Sequence, residues 1–181
     1  MDIQHTNIPD VLLIKPEIYE DDRGFFIETY HTKKYTQLGI PSFVQDNHSR
    51  SKKGVLRGMH YQIKHSQGKL VRVVSGAVFD VVVDIRKSSN FFGQWVGQEL
   101  SAENNYQLWV PPGFAHGYYV LSDSADFLYK TTDFYSPEHE RTILWNDEDL
   151  SIDWPIAKGE VPIISGRDLR GTLLKDAELF D

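Results

Sequence analysis

Three side chains suited to one piece of chemistry fall within thirteen positions. Arg57-Gly58-Met59-His60-Tyr61-Gln62 is followed, after a short polar loop, by Gln67-Gly68-Lys69-Leu70-Val71-Arg72-Val73. An imidazole that titrates near neutral pH can take a proton from a carbon beside a carbonyl, provided a nearby cation stabilises the enolate that forms. His60 is the base of that type and Lys69 the cation with sufficient reach, while Arg57 has the fork that grips a phosphate. Taken alone, the same letters also describe a surface histidine in a basic strand.

Other groups could serve the same pocket. Tyr129-Lys130 and Asp133-Phe134-Tyr135 form a polar-aromatic cluster. A buried tyrosine there can donate its phenolic proton, or can be core with one satisfied hydroxyl. Arg23, Glu28, Gln45, Asp46 and Asn47 flank Phe25, Phe26 and Phe43. Aromatic planes beside amides suit a pyrimidine, by stacking and edge hydrogen bonds. Pro111-Pro112-Gly113-Phe114-Ala115-His116-Gly117 has the Pro-x-Gly-x-x-His form of the second motif of cupin barrels. A metal-binding cupin would add a His-x-His pair. Here the nearest pair is His60 and His65, whose odd spacing places them on opposite faces of a strand. A metal site built from His60, His65 and His116 is therefore poorly supported.

The elements that must position these groups read as β. Strands are expected over 43–46, 55–61, 70–74, 77–85, 95–100, 107–110, 117–121 and 125–132, with an apolar run at 11–14 and Phe25–Tyr30 also extended. Ser75-Gly76 signals a hairpin. One short helix is expected from a Thr32 cap through Leu38, stopped by Gly39, and a helical turn around 167–174. In Ala77–Ile85, Phe79, Val81, Val83 and Ile85 share one face, and Val78, Asp80, Val82 and Asp84 the other. Two acids on a valine face fit either a polar-lined cavity or a solvated exterior. Short, regularly spaced strands with Gly and Pro punctuation predict a sandwich or barrel, in one domain over 1–181.

Composition narrows the function classes. The 181 residues carry a net charge of −7 and no cysteine. The charge disfavours nucleic acid or an anionic membrane as partner, and the lack of thiols excludes disulfides, thiolate zinc sites and cysteine nucleophiles. With no leader-like start and no apolar stretch of membrane-spanning length, the expected setting is cytoplasmic.

Leu56–Gln62, Gln67–Val73, Val82-Val83-Asp84-Ile85-Arg86, Leu100–Asn104, Pro112–Gly117 and Trp145-Asn146-Asp147 together resemble the dTDP-4-dehydrorhamnose 3,5-epimerase family, in the family's order, from about Gly24 to Asp168. The resemblance implies an all-β, cupin-type jelly-roll barrel with a few short helices. It also implies a homodimer that needs no metal or cofactor. The implied reaction is epimerisation of dTDP-4-dehydro-6-deoxy-D-glucose at C3 and C5, serving cell-surface polysaccharide synthesis; a related 4-keto sugar nucleotide inverted at one carbon is the alternative. Carried over by position, His60 is the base, Asp168 its orienting carboxylate, Lys69 the enolate stabiliser and Tyr129 the opposing acid. Arg23, Glu28, Gln45, Asp46, Asn47, Arg57, Lys69, His116 and Glu140 match substrate-contacting positions. So does Arg167, at a position often lysine in the family. A metal-dependent cupin enzyme and a noncatalytic sugar-nucleotide binder are the rival readings.

Overall fold

A hydrophobic layer between two antiparallel sheets organises the chain, which the computed structural model describes throughout, Met1–Asp181. The strands are β1 (Asp2–His5), β2 (Leu12–Lys15), β3 (Ile18–Asp21), β4 (Gly24–Ile27), β5 (Gln45–Lys52), β6 (Val55–Gln62) and β7 (Lys69–Ser75). They continue as β8 (Ala77–Asp84), β9 (Trp95–Ser101), β10 (Gln107–Val110), β11 (Phe114–Val120), β12 (Ser124–Thr131), β13 (Glu140–Thr142) and β14 (Ile163–Ile164). One helix, α1 (Thr32–Thr36), and three short 3₁₀ turns complete the chain. The first sheet runs β1-β2-β10-β7-β12-β5 and the second β13-β6-β11-β8-β9, with β14 added in parallel to β6. This is the expected jelly roll.

Alternation decides which face each strand buries. Val71 and Val73 of β7, Val78 and Val82 of β8, and Leu108 and Val110 of β10 fill the space between the sheets. Each such side chain contributes about 1.5–3 kcal/mol relative to exposure. The opposite face of β8 is also buried: Val81, Val83 and Ile85 pack with Ile143, Trp154 and Leu174 of the C-terminal segment. The acids of β8 therefore face inward, and Asp80 and Asp84 are fully buried. The solvated exterior is therefore excluded for both, and Asp80 pairs with the buried His116. Asp84 instead binds the Arg86 guanidinium and Ser89 at the strand's end.

Some elements differ from expectation. The strand expected at 43–46 is β5, at 45–52, and it carries no large apolar residue. It is polar on both faces because one lines a cavity and the other meets solvent. α1 ends at Thr36 and is preceded by His31, with no side-chain cap. Phe25–Tyr30 is extended only to Ile27, as half of the two-stranded β3–β4 hairpin. The turn expected around 167–174 appears as 3₁₀ turns at Asp168–Arg170 and Leu174–Asp176.

Candidate active site

Between the sheets, at one end of the barrel, lies a cavity of about 370 Å³. The first sheet gives it Gln45, Asn47 and Ser49 of β5, Lys69 of β7, and Phe127 and Tyr129 of β12; the second gives Arg57 and His60 of β6, and His116 and Tyr118 of β11. Gln67, Tyr135, Glu140 and Arg167 line the remainder. Imidazole and phenol thus enter one space from opposing sheets.

Regular alternation would place Arg57 and His60, three residues apart, on opposite faces. A register shift prevents this. His60 pairs with His116 and Arg57 with Tyr118, so four residues of β6 span the stretch covered by three of β11. This is a β-bulge, which re-aims the side chains after it. The two strands approach closely there: a Cβ on Gly58 would lie 2.6 Å from the Gly117 Cα, and one on Gly117 2.7 Å from the Arg57 carbonyl oxygen. Only glycine fits at either position.

His60 Nε2 is 2.8 Å from Asp168 Oδ1, and the Gly58 amide donates to the other oxygen across a long 3.4 Å. Asp168 sits in the 3₁₀ turn after β14 and is 2 % exposed. Burial pushes its pKa up, but the bonds from His60 and Gly58 and the Arg167 charge outweigh that and hold it below the usual carboxylate value. The carboxylate therefore remains ionised and fixes the imidazole's tautomer and orientation.

Lys69 stands in the cavity wall with its ammonium 3.5 Å from the His60 carbonyl oxygen, its one recorded hydrogen bond. Burial lowers its pKa to about 8, against the opposing pull of Glu140 and Asp80. It is a poorly solvated cation aimed at open space, suited to holding a developing oxyanion. On the neighbouring strand of the same sheet, and across the cavity from His60, burial raises the Tyr129 pKa, aided by the neighbouring Tyr118 and Glu140, so its proton stays available for donation. A second dyad lies deeper: His116 Nε2 is 2.9 Å from both oxygens of Asp80. At the rim, Glu140 accepts from Tyr135 at 2.7 Å and from Arg167 at 2.5 Å.

Of the residues expected from sequence, His60, Lys69, Tyr129, Gln45, Asn47, Arg57, His116, Glu140 and Arg167 line this cavity, with Asp168 directly behind His60. Arg23, Glu28 and Asp46 do not reach it in the single chain. Arg23 lies on the β3–β4 hairpin, paired with Asp21; Glu28 pairs with Lys34. Asp46 points from the other face of β5 and pairs with Lys130. His65 is outside as well, 3.5 Å from Asp133, and no three histidine or carboxylate side chains are placed to hold a metal ion. Sequence reasoning missed Ser49, Gln67, Tyr118 and Phe127. Ser49 and Tyr118 carried a signal, since each follows an expected site residue by two positions on a strand.

The description of a sequence profile that matches residues 5–176 is dTDP-4-dehydrorhamnose 3,5-epimerase. A protein of that name from Pseudomonas aeruginosa is 58% identical over 175 residues, covering 96% of each chain. The fold is also that of dTDP-6-deoxy-D-glucose-3,5-epimerase from Legionella pneumophila, solved with dTDP-4-keto-L-rhamnose: TM-score 0.95, 54% identity, 98% of this chain and 94% of that one. More distantly, a 3'-monoepimerase from Streptomyces bikiniensis, solved with dTDP-quinovose, gives a TM-score of 0.88 at 32% identity, over 94% of this chain and 87% of that one.

Proposed function

The chain belongs to the dTDP-4-dehydrorhamnose 3,5-epimerase family, and from that premise we propose how its residues share the inversion of C3 and C5 in dTDP-4-dehydro-6-deoxy-D-glucose. His60 removes the proton from a carbon beside the C4 ketone. The electron pair moves to the ketone oxygen, where the Lys69 ammonium stabilises the enolate. Tyr129 returns a proton to the same carbon from the opposite face, inverting it; water then takes the proton from His60 and restores one to Tyr129, and the cycle repeats at the second carbon to give dTDP-4-dehydro-L-rhamnose. The carrying observation is that the His60–Asp168 dyad and the Tyr129 phenol enter one cavity from opposing sheets, with Lys69 in its wall. Epimerisation needs this two-sided arrangement, because a single group would return the proton to the face it left.

Turnover in heavy water with NMR detection tests the reading. Deuterium at both C3 and C5 is expected; deuterium at C3 alone would make the enzyme a monoepimerase, and none at either would leave a binding module.

Arg23 and Glu28 match substrate-contacting positions of the family, yet they lie outside the cavity. They sit on or beside a hairpin whose Tyr19, Phe25 and Phe26 are 56%, 60% and 68% exposed. Such an apolar patch favours burial against another protein surface, which supports a homodimer in which each chain's hairpin covers the other's cavity. Arg23→Ala, weakly active alone, and His60→Ala, inactive alone, then regain turnover when mixed and allowed to exchange subunits, since one site of the mixed dimer has every group intact. Failure to regain it places Arg23 in its own chain's site or in none.

A further inference from the structure

We infer that Ser51, outside the cavity lining, is a positioning residue that presets Arg57 for the substrate's diphosphate; this rests on Arg57 being a diphosphate ligand. Arg57 is exposed and would ordinarily sample many rotamers. Its Nε, however, donates to Ser51 Oγ at 3.0 Å, and Ser51 is 5% exposed. No other hydrogen bond is made by the Arg57 side chain, so both terminal nitrogens are free. With Nε held, the outer edge of the guanidinium remains, and that edge binds two phosphate oxygens side by side.

Ser51 is itself braced. Its Oγ is 3.4 Å from the Tyr118 hydroxyl, which is 3.0 Å from Ser49 Oγ. The Tyr118 ring stacks on Phe127 at 4.2 Å, with 16° between planes. A run of hydroxyls from Ser49 through Tyr118 to Ser51 thus ends on the Arg57 Nε. Because Ser51 lies on β5 and Arg57 on β6, the last bond ties an edge strand of one sheet to a strand of the other. Fixing a rotamer-rich side chain before binding removes an ordering cost, worth roughly two- to tenfold in affinity.

The test measures dTDP affinity by calorimetry, together with kcat and KM, for Ser51→Ala, Arg57→Ala and the double variant. Ser51→Cys, close in volume and a weak acceptor, covers the case in which alanine unfolds the strand. Ser51→Ala or Ser51→Cys should raise the dTDP Kd and the KM roughly two- to tenfold, leave kcat within about twofold, and add nothing in the Arg57→Ala background. Weakening of dTDP binding by Arg57→Ala but not by either Ser51 variant overturns the inference. Equal weakening by Ser51→Ala with and without Arg57 also overturns it, making Ser51 merely structural. Unchanged dTDP affinity in Arg57→Ala instead refutes the underlying assignment of Arg57.

Discussion

Lys69→Met separates what the active site does for catalysis from what it costs the fold. Methionine keeps most of the lysine's length and apolar body while removing the charge. In the folded protein burial lowers the Lys69 pKa from 10.5 to about 8. At 1.36 kcal/mol per pH unit this is about 3 kcal/mol against the charged form; water in an open pocket screens part of it, leaving about 2 kcal/mol. The sign follows from proton binding. Below about pH 8 folded and unfolded chains both hold the proton, and the folded one bears the full cost. Between about pH 8 and 10.5 the unfolded chain holds more protons, so wild-type stability rises relative to the variant. Lys69→Met should therefore be more stable than wild type at pH 7, with the advantage shrinking as pH passes 8 and approaches 10.5. Turnover should fall about 10²–10³-fold, as when one oxyanion donor is lost, and wild-type kcat/KM should itself decline above about pH 8. Urea titrations of both proteins from pH 6.5 to 10.5 read the first effect and deuterium exchange the second. A variant less stable at pH 7, or a difference that does not vary with pH, refutes the account of Lys69 as a strained cation.

The other expectations concern the dyad, the acid and the strand contact. His60→Ala should abolish exchange of substrate hydrogen with heavy water; exchange at the wild-type rate removes the base assignment. Tyr129→Phe should retain exchange while impairing inversion, seen by NMR as deuterium in unepimerised sugar, and clean inversion by that variant would give the acid role to another group. Asp168→Asn leaves the ring without an ionised partner, and turnover should drop by about 10²–10⁴ with dTDP affinity unchanged in calorimetry. Gly117→Ala places a methyl carbon 2.7 Å from the Arg57 carbonyl oxygen and from Met59 Sδ. It should cost about 1–3 kcal/mol in chemical denaturation, and a neutral result would mean that the strands part easily there.

The barrel strands were legible where apolar and β-branched residues run together, as in β8 and β10, because strands buried on both faces read as short apolar runs between turn signals. β5 was largely hidden for the converse reason. Its inward residues Gln45, Asn47, Ser49 and Ser51 are polar because they face a cavity and its hydroxyl network, so composition reads as loop. The shared direction of Arg57 and His60 was likewise out of reach, since it depends on a bulge set by contact with β11, a strand more than fifty residues later. The family resemblance nevertheless singled out His60, Lys69 and Tyr129, which the fold brings into one cavity. It placed Arg23, Glu28 and Asp46 in the same site without revealing that one chain leaves them outside.

The bulge in β6 also adjusts acidity. An extra residue in a ladder frees a main-chain amide, and here the Gly58 N–H turns to the second oxygen of Asp168. Part of the force that keeps this carboxylate ionised is therefore encoded in peptide geometry, beyond the reach of any side-chain replacement. An ester in place of the Arg57–Gly58 amide, installed by chemical ligation, would withdraw that donor alone. It would raise the carboxyl's affinity for a proton and shift the acidic limb of the rate profile upward while every functional group of the reaction stayed in place.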